Sequence, residues 1–369
     1  MKPAGKVAVL AAGLLFGGVC AAVAEGWDAG GGSSWAALLA AARAEGPIVG
    51  AMCPLFSDAI VHAFKVDTGI DVVLLPGSIT DQLARYRMEL KSGRVATDFH
   101  LGGVSDVELA RAGYLEDISA NLLLPDVADG HKWQGGAIDY VDNTKKFMPL
   151  AGEYVSTRPV VNTGIVPAES LKKWGDLLKP EFDGKIAVYD PTIPGAGQAA
   201  GAYLSKLFGE DFVVNLISKQ HVGISRDSQQ LADWVSRGLY PIVLGIDSTY
   251  IDSINQNGFT AVKSLTLEDG PGSLVGGCGV LDIPKNAPHL HGALVFANWY
   301  LSQRGQSVLV EASHYPTFRL DVSHDAVRPY FMAEPGQHYL DQYTEDWYFS
   351  EGRVARDSLA NKLRPFIGD

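Results

Sequence analysis

In LGIDSTYIDSINQNG, residues 244–258, an apolar strand end runs directly into Asp247, Ser248, Thr249 and Tyr250 before a helical segment begins. Two other segments repeat the arrangement: DPTIPGAG, carrying Asp190, Thr192, Gly195, Ala196 and Gly197, and SRDSQQ, carrying Arg226, Asp227 and Ser228. Hydroxyls, a guanidinium and free N–H groups at helix N-termini suit a phosphate, phosphonate, carboxylate or sulfonate. Each segment by itself also reads as an ordinary helix cap, because Asp, Ser and Thr are favoured there. Their recurrence along one edge is what points to a site. Gly195 and Gly197 add to it, since glycine lets backbone approach a ligand closely.

The first half of the chain offers matching places in MCPLFSD, PGSIT and GGVSD. Cys53, Phe56, Ser57, Ser78 and Ser105 are the candidate contacts there, with caps, turns and core packing as the plainer reading. Catalytic signatures are missing: there is no G-x-S-x-G elbow, P-loop, H-E-x-x-H or zinc-type cysteine spacing. A thiol nucleophile at Cys53 with His221 or His314 as its base is not supported by any spacing. His289 and His291 stand two apart, off a common helix face, and make a poor metal pair. A non-enzyme without cofactor is expected.

These residues need elements to hold them. From Gly46 the pattern reads strand PIVGAM, helix SDAIVHAFKVDTG, strand IDVVLLPG, helix SITDQLARYRMELKSG, strand TDFHLGG and helix VSDVELARAG. That is a parallel sheet with helices on its faces. A second α/β unit follows, with strands STRPVVNTG, GKIAVYDP and YPIVLGI, and the last third contains the long helical stretch PHLHGALVFANWYLSQRGQSVLVEAS. Two α/β lobes in series, with a chain that returns to the first, imply a hinge and a cleft. In such sheets ligands bind beyond the carboxyl ends of the strands.

The 369 residues, 47% hydrophobic, suffice for two such cores. The opening MKPAGKVAVLAAGLLFGGVCAAVA has the charged, apolar and small-residue regions of a signal peptide, cut after residue 24. Val19 before Cys20 argues against a lipid anchor. Losing Lys2 and Lys6 takes the net charge from −12 to −14, which disfavours nucleic acid and anionic membrane surfaces as partners. Cys53 and Cys278 remain in the mature chain, either as a bridge or as two buried thiols.

The order of motifs resembles the type II periplasmic solute-binding proteins of ABC importers, specifically the group labelled iron(III)-binding. The resemblance rests on GIDVVLLPGSITDQLARYRMELKSGRVATDFHLGG, VVNTGIVPAESLKKWGDLLKPEFDGKIAVYDP, SRGLYPIVLGI and LDIPKNAPHLHGALVFANWYLSQRGQ, with Asn162, Trp174, Leu177, Pro180 and Gly184 the most specific matches. It implies a periplasmic Venus-flytrap receptor that hands its solute to a membrane permease and ATPase. In iron-binding members adjacent tyrosines, in the segment equivalent to GIDSTY, hold the metal with a histidine and a carboxylate from the other lobe. Here Thr249-Tyr250 replaces the tyrosine pair, the Cys53-Pro54-Leu55 loop has no histidine, and PGSIT has no acid before Asp81.

The expectation is therefore a monomeric two-lobe α/β receptor, lobe one comprising residues 25–154 and 275–369 and lobe two 155–274. Its ligand is expected to be a small organic solute with an anionic or zwitterionic end, Arg226 pairing with the anion and Asp247 with an ammonium. A ferric-iron receptor using Asp247 and Tyr250 is the alternative, and a secreted Cys53 enzyme a more distant one.

Overall fold

The computed structural model describes residues 26–367, apart from Leu55, Ser78, Asp247 and Ser248 and the side chains of Ile79, Thr80, Thr249, Asp252 and Val354. The first lobe opens with α1 (Gly32–Glu45), β1 (Ile48–Ala51), α2 (Ser57–Thr68), β2 (Val72–Leu74), α3 (Ile79–Ser92), β3 (Phe99–Gly102), α4 (Val107–Arg111), α5 (Pro125–Ala128), β4 (Asp139–Tyr140) and β5 (Pro149–Leu150). The chain then crosses through β6 (Tyr154–Ser156) into β7 (Val160–Asn162), β8 (Ile186–Tyr189), α6 (Ala196–Phe208), α7 (Glu210–Lys219), β9 (Gly223–Ser225), α8 (Ser228–Arg237), β10 (Ile242–Leu244), α9 (Thr249–Gln256) and β11 (Val262–Ser264). It returns through β12 (Ser273–Val275) to β13 (Val280–Asp282), α10 (Leu290–Leu301) and α11 (Gln303–Ser313), and ends in β14 (Leu340–Asp341), α12 (Glu345–Phe349), α13 (Glu351–Val354) and α14 (Ala360–Ile367).

Lobe one has the sheet order β2-β1-β3-β13-β5-β4 and lobe two β11-β7-β10-β8-β9. β1, β2 and β3 run parallel as the alternating pattern requires, as do β8, β9 and β10. The strands next to each crossing, β7 and β13, lie antiparallel to their neighbours because they are entered from the opposite lobe. Both sheets are therefore mixed. A third sheet, β14-β12-β6, carries the crossings. The expected lobe boundaries, 154/155 and 274/275, fall inside β6 and β12, and Thr157 leaves β6 in the left-handed region (φ 57).

Two elements differ from the sequence expectation. The long stretch after Pro288 is two helices, because Ser302 turns extended (ψ 162) and caps α11 by accepting from the Gly305 N–H at 3.1 Å. The C-terminal segment also divides between the lobes. Tyr348 on α12 belongs to a lobe-one core with Leu150 and Val280, whereas Leu359 and Leu363 are buried in the lobe-two core with Leu204 and Leu216. Residues 275–369 thus do not belong to lobe one alone: the apolar face of the last helices finds its partners on α6 and α7, and Lys362 pairs with Glu210 at 2.6 Å.

Candidate functional site

At the carboxyl ends of β8 and β9 three of the sequence candidates meet. Asp190 is fully buried, accepts from the Thr192 N–H (2.8 Å) and hydroxyl (2.6 Å), and pairs with Arg226 Nε at 2.8 Å. Burial pushes the Asp190 carboxyl up, but Thr192 and Arg226 outweigh it and hold it below the usual carboxylate range. Arg226 is 54% exposed, so its terminal nitrogens face outward from a fixed base. Asp227 caps α8 through the Gln229 and Gln230 N–H groups, and Ser228 is its half-buried first residue. Gly195, at φ 140, precedes α6, whose first residue Ala196 has no side-chain cap before it. Gly197 answers to packing: a Cβ there would lie 2.3 Å from the Tyr189 carbonyl oxygen.

Beyond β10, Asp247 and Ser248 lie outside the described residues, as does the Thr249 side chain. Tyr250 is half-buried and packs on the core shared by α8 and α9, lining with Gln229, Asp233 and Phe259 a groove of about 210 Å³ between those helices.

In lobe one, Ser78 lies outside the described residues. Cys53 and Phe56 are buried in the main core, Phe56 edge-on to Tyr315 with ring centres 6.4 Å apart. Ser57 is buried and donates to the Pro54 carbonyl at 3.3 Å. Ser105 is half-buried, and its carbonyl accepts from Arg87 at 3.1 Å. Cys53 is buried and Cys278 half-buried, and no disulfide joins them. His289 and His291 turn to different carboxylates, Asp98 and Glu45.

A cluster that the sequence reading did not single out lies just inside this lobe-one edge. The antiparallel register of β3 and β13 sets Asp282 opposite His100, and the turn after β3 brings Asp106 back over the strand. His100 Nδ1 stands 3.1 Å from Asp106 Oδ2 and 3.4 Å from Asp282 Oδ2, while Tyr86 on α3 donates its hydroxyl to Asp282 Oδ1 at 2.6 Å. All four side chains are buried. Gly102 makes the room, since a Cβ there would fall 2.2 Å from His100 Cε1 and 2.3 Å from Asp106 Oδ2.

Burial alone lowers the His100 pKa, but Asp106 and Asp282 override it and raise it to about 10. Burial in turn holds Asp282 above the usual carboxylate range, and burial with the Asp282 charge drives Tyr86 well above 10.0. The charges are close, yet both Asp106 oxygens, Asp282 Oδ2 and His100 Nδ1 lack an aligned hydrogen bond. Buried polar atoms are ordinarily paired, so four unaligned ones in one cluster set it apart from the rest of the core. One nitrogen and two carboxylate donors within 4.8 Å of one another form a set able to hold a metal ion. The only local signal was a histidine inside an otherwise apolar strand.

The family model for bacterial extracellular solute-binding proteins matches residues 59–330. No curated protein matches the sequence significantly. Among solved structures, iron-bound HitA from Pseudomonas aeruginosa is similar at TM-score 0.65 and 19% identity, covering 86% of this chain and 99% of that one. AfuA from Actinobacillus pleuropneumoniae, with fructose-6-phosphate bound, is similar at 0.68 and 18%, covering 87% and 98%. The apo ferric ion-binding protein A of Pasteurella haemolytica is similar at 0.68 and 14%, covering 88% and 99%. These likenesses carry the two-lobe type II fold. The family match spans most of the chain, which is therefore a member of the bacterial extracellular solute-binding protein family.

Proposed function

We propose that the chain is the periplasmic receptor of an ABC importer, exported by a cleaved signal of residues 1–24, and that its cargo is a hard metal cation, ferric iron foremost. The observation that carries the cation reading is the donor set of His100, Asp106 and Asp282, with Tyr86 orienting Asp282 from behind. Carboxylate oxygens suit a hard ion. Donors at right angles on an ion about 2.1 Å away are about 3.0 Å apart, close to the 3.1 and 3.4 Å between His100 Nδ1 and the two carboxylates, and the ion would take the place of the Nδ1 proton, which leaves to solvent. This differs from Asp247 and Tyr250, the donors expected from the sequence. Iron-bound HitA and the Pasteurella ferric-binding protein share the fold, which fits the same reading.

A second reading, an organic solute with an anionic group, is favoured by one feature. Arg226 is anchored through Nε on buried Asp190 and presents its other nitrogens outward beside the uncapped start of α6. AfuA, with its sugar phosphate, shows that the fold accepts such a ligand. For the organic solute, contacts from both lobes would favour closure through β6 and β12, whereas the cation would be held within lobe one.

Thermal shift of the purified mature monomer separates the two. A ligand at 100 times its Kd stabilises by about 2.7 kcal/mol. Stabilisation by ferric citrate but not by citrate, lost in Asp106→Ala and kept in Arg226→Ala, is expected. Stabilisation by phosphonates or carboxylates alone, lost in Arg226→Ala, would reverse the order.

A further inference from the structure

Beside the buried His100 cluster one charged side chain reaches solvent. Asp106 is fully buried, and of the two cationic side chains beside it His100 is itself buried while Arg87 is 28% exposed. Arg87 rises from α3 next to Tyr86 and lies across Asp106 from the outside. Its Nη2 is 3.8 Å from Asp106 Oδ1 and 3.9 Å from Glu108 Oε2, too long for hydrogen bonds, and among the described residues it bonds the Ser105 carbonyl at 3.1 Å. Its Nε is buried without a partner. With no hydrogen bond to Asp106, the guanidinium can turn toward Glu108 without breaking one, once an incoming cation compensates the Asp106 charge. Outside it, Glu108 is half-exposed and accepts from the Tyr348 hydroxyl at 2.8 Å, which keeps a carboxylate at the rim.

We propose that Arg87 is the gate of the cation site: it neutralises Asp106 while the site is empty and moves toward Glu108 as an ion enters. This rests on the cation reading of the cluster. Glu108 serves as the outer station in two senses, drawing a cation from solvent and receiving the displaced guanidinium. Arg87 accordingly governs the rate of loading, whereas His100, Asp106 and Asp282 govern whether the ion stays.

The test is stopped-flow loading of hexaaqua cobalt(II), whose visible bands report its coordination, into the full mature protein. Arg87→Gln is expected to load about tenfold faster or more, since local charge changes on-rates on that scale, while Arg87→Lys loads at the wild-type rate. Glu108→Gln is expected to load more slowly, and all three hold one equivalent with the same spectrum. Rising salt should speed the wild type relative to Arg87→Gln, because screening weakens the repulsion that only the wild type exerts. Cobalt bound by wild type and Arg87→Gln at equal rates and with equal salt dependence overturns the gate and leaves the cation site standing. No cobalt bound by any variant, with melting temperatures showing each to be folded, overturns both.

Discussion

Asp106 is a fully buried carboxylate with neither oxygen in an aligned hydrogen bond, beside an imidazolium and across from a second buried carboxylate. Removing charges from water costs several kcal/mol per ion unless the pairing geometry is excellent. Here the pairing is close but misaligned, and the proposed cation would complete it. Gly102 is the residue that permits it, and Gly102→Ala is expected to lower stability by about 1–3 kcal/mol through overpacking against His100 and Asp106; chemical denaturation measures it, and an unchanged midpoint would contradict the crowding. None of this was legible locally. Asp282 comes from a strand far along the chain, and only the β3–β13 register joins it to His100. What local spacing did carry was the lobe-two edge, where Asp190, Thr192 and Arg226 do meet, and where Asp227 is the cap its sequence position allowed. Phe56, by contrast, is an aromatic beside a strand end, and its sequence neighbours cannot distinguish a cleft wall from the core it enters.

At the scale of elements, the hinge sheet and the C-terminal helices carry their own consequences. Leu359 seats against α6 at Gly201, where a Cβ would lie 2.9 Å from Leu359 Cδ2. Leu359→Ala is expected to cost about 2–5 kcal/mol and to free the last helix from lobe two, read as faster amide exchange in residues 360–367. Glu153, just before β6, faces Asp341 of β14 and Asp139; burial, then the Asp341 charge, holds it well above the usual carboxylate range. Its folded pKa is raised, so the stability it contributes is present below its unfolded value near 4.5 and is lost as pH rises through the folded value. Glu153→Gln is therefore expected to raise the melting temperature at pH 8 relative to the wild type and to leave it unchanged near pH 4; equal curves at both would contradict the assignment. The alternating strands and helices were readable from periodicity because each buries one face on a sheet. The break at Ser302 was not, since the apolar pattern continues through it and only a single side-chain cap marks the turn. The last helices' allegiance to lobe two was equally hidden, because amphipathicity says that a face is buried and not against what.

For the whole molecule, the chain joins two α/β lobes through β6 and β12 and then ties them a third time, with β14 in the hinge sheet, α12 on lobe one and α14 on lobe two. Closure moves this strap with it. The family settles the role as solute capture outside the cytoplasm, and the identity of the solute turns on the lobe-one cluster. Anomalous diffraction at the iron edge, from crystals of the mature protein grown with ferric citrate, locates the ion directly. The account predicts a peak bounded by His100 Nδ1, Asp106 Oδ2 and Asp282 Oδ2. A peak in the interlobe cleft with none at the cluster, or no peak at all, would contradict it.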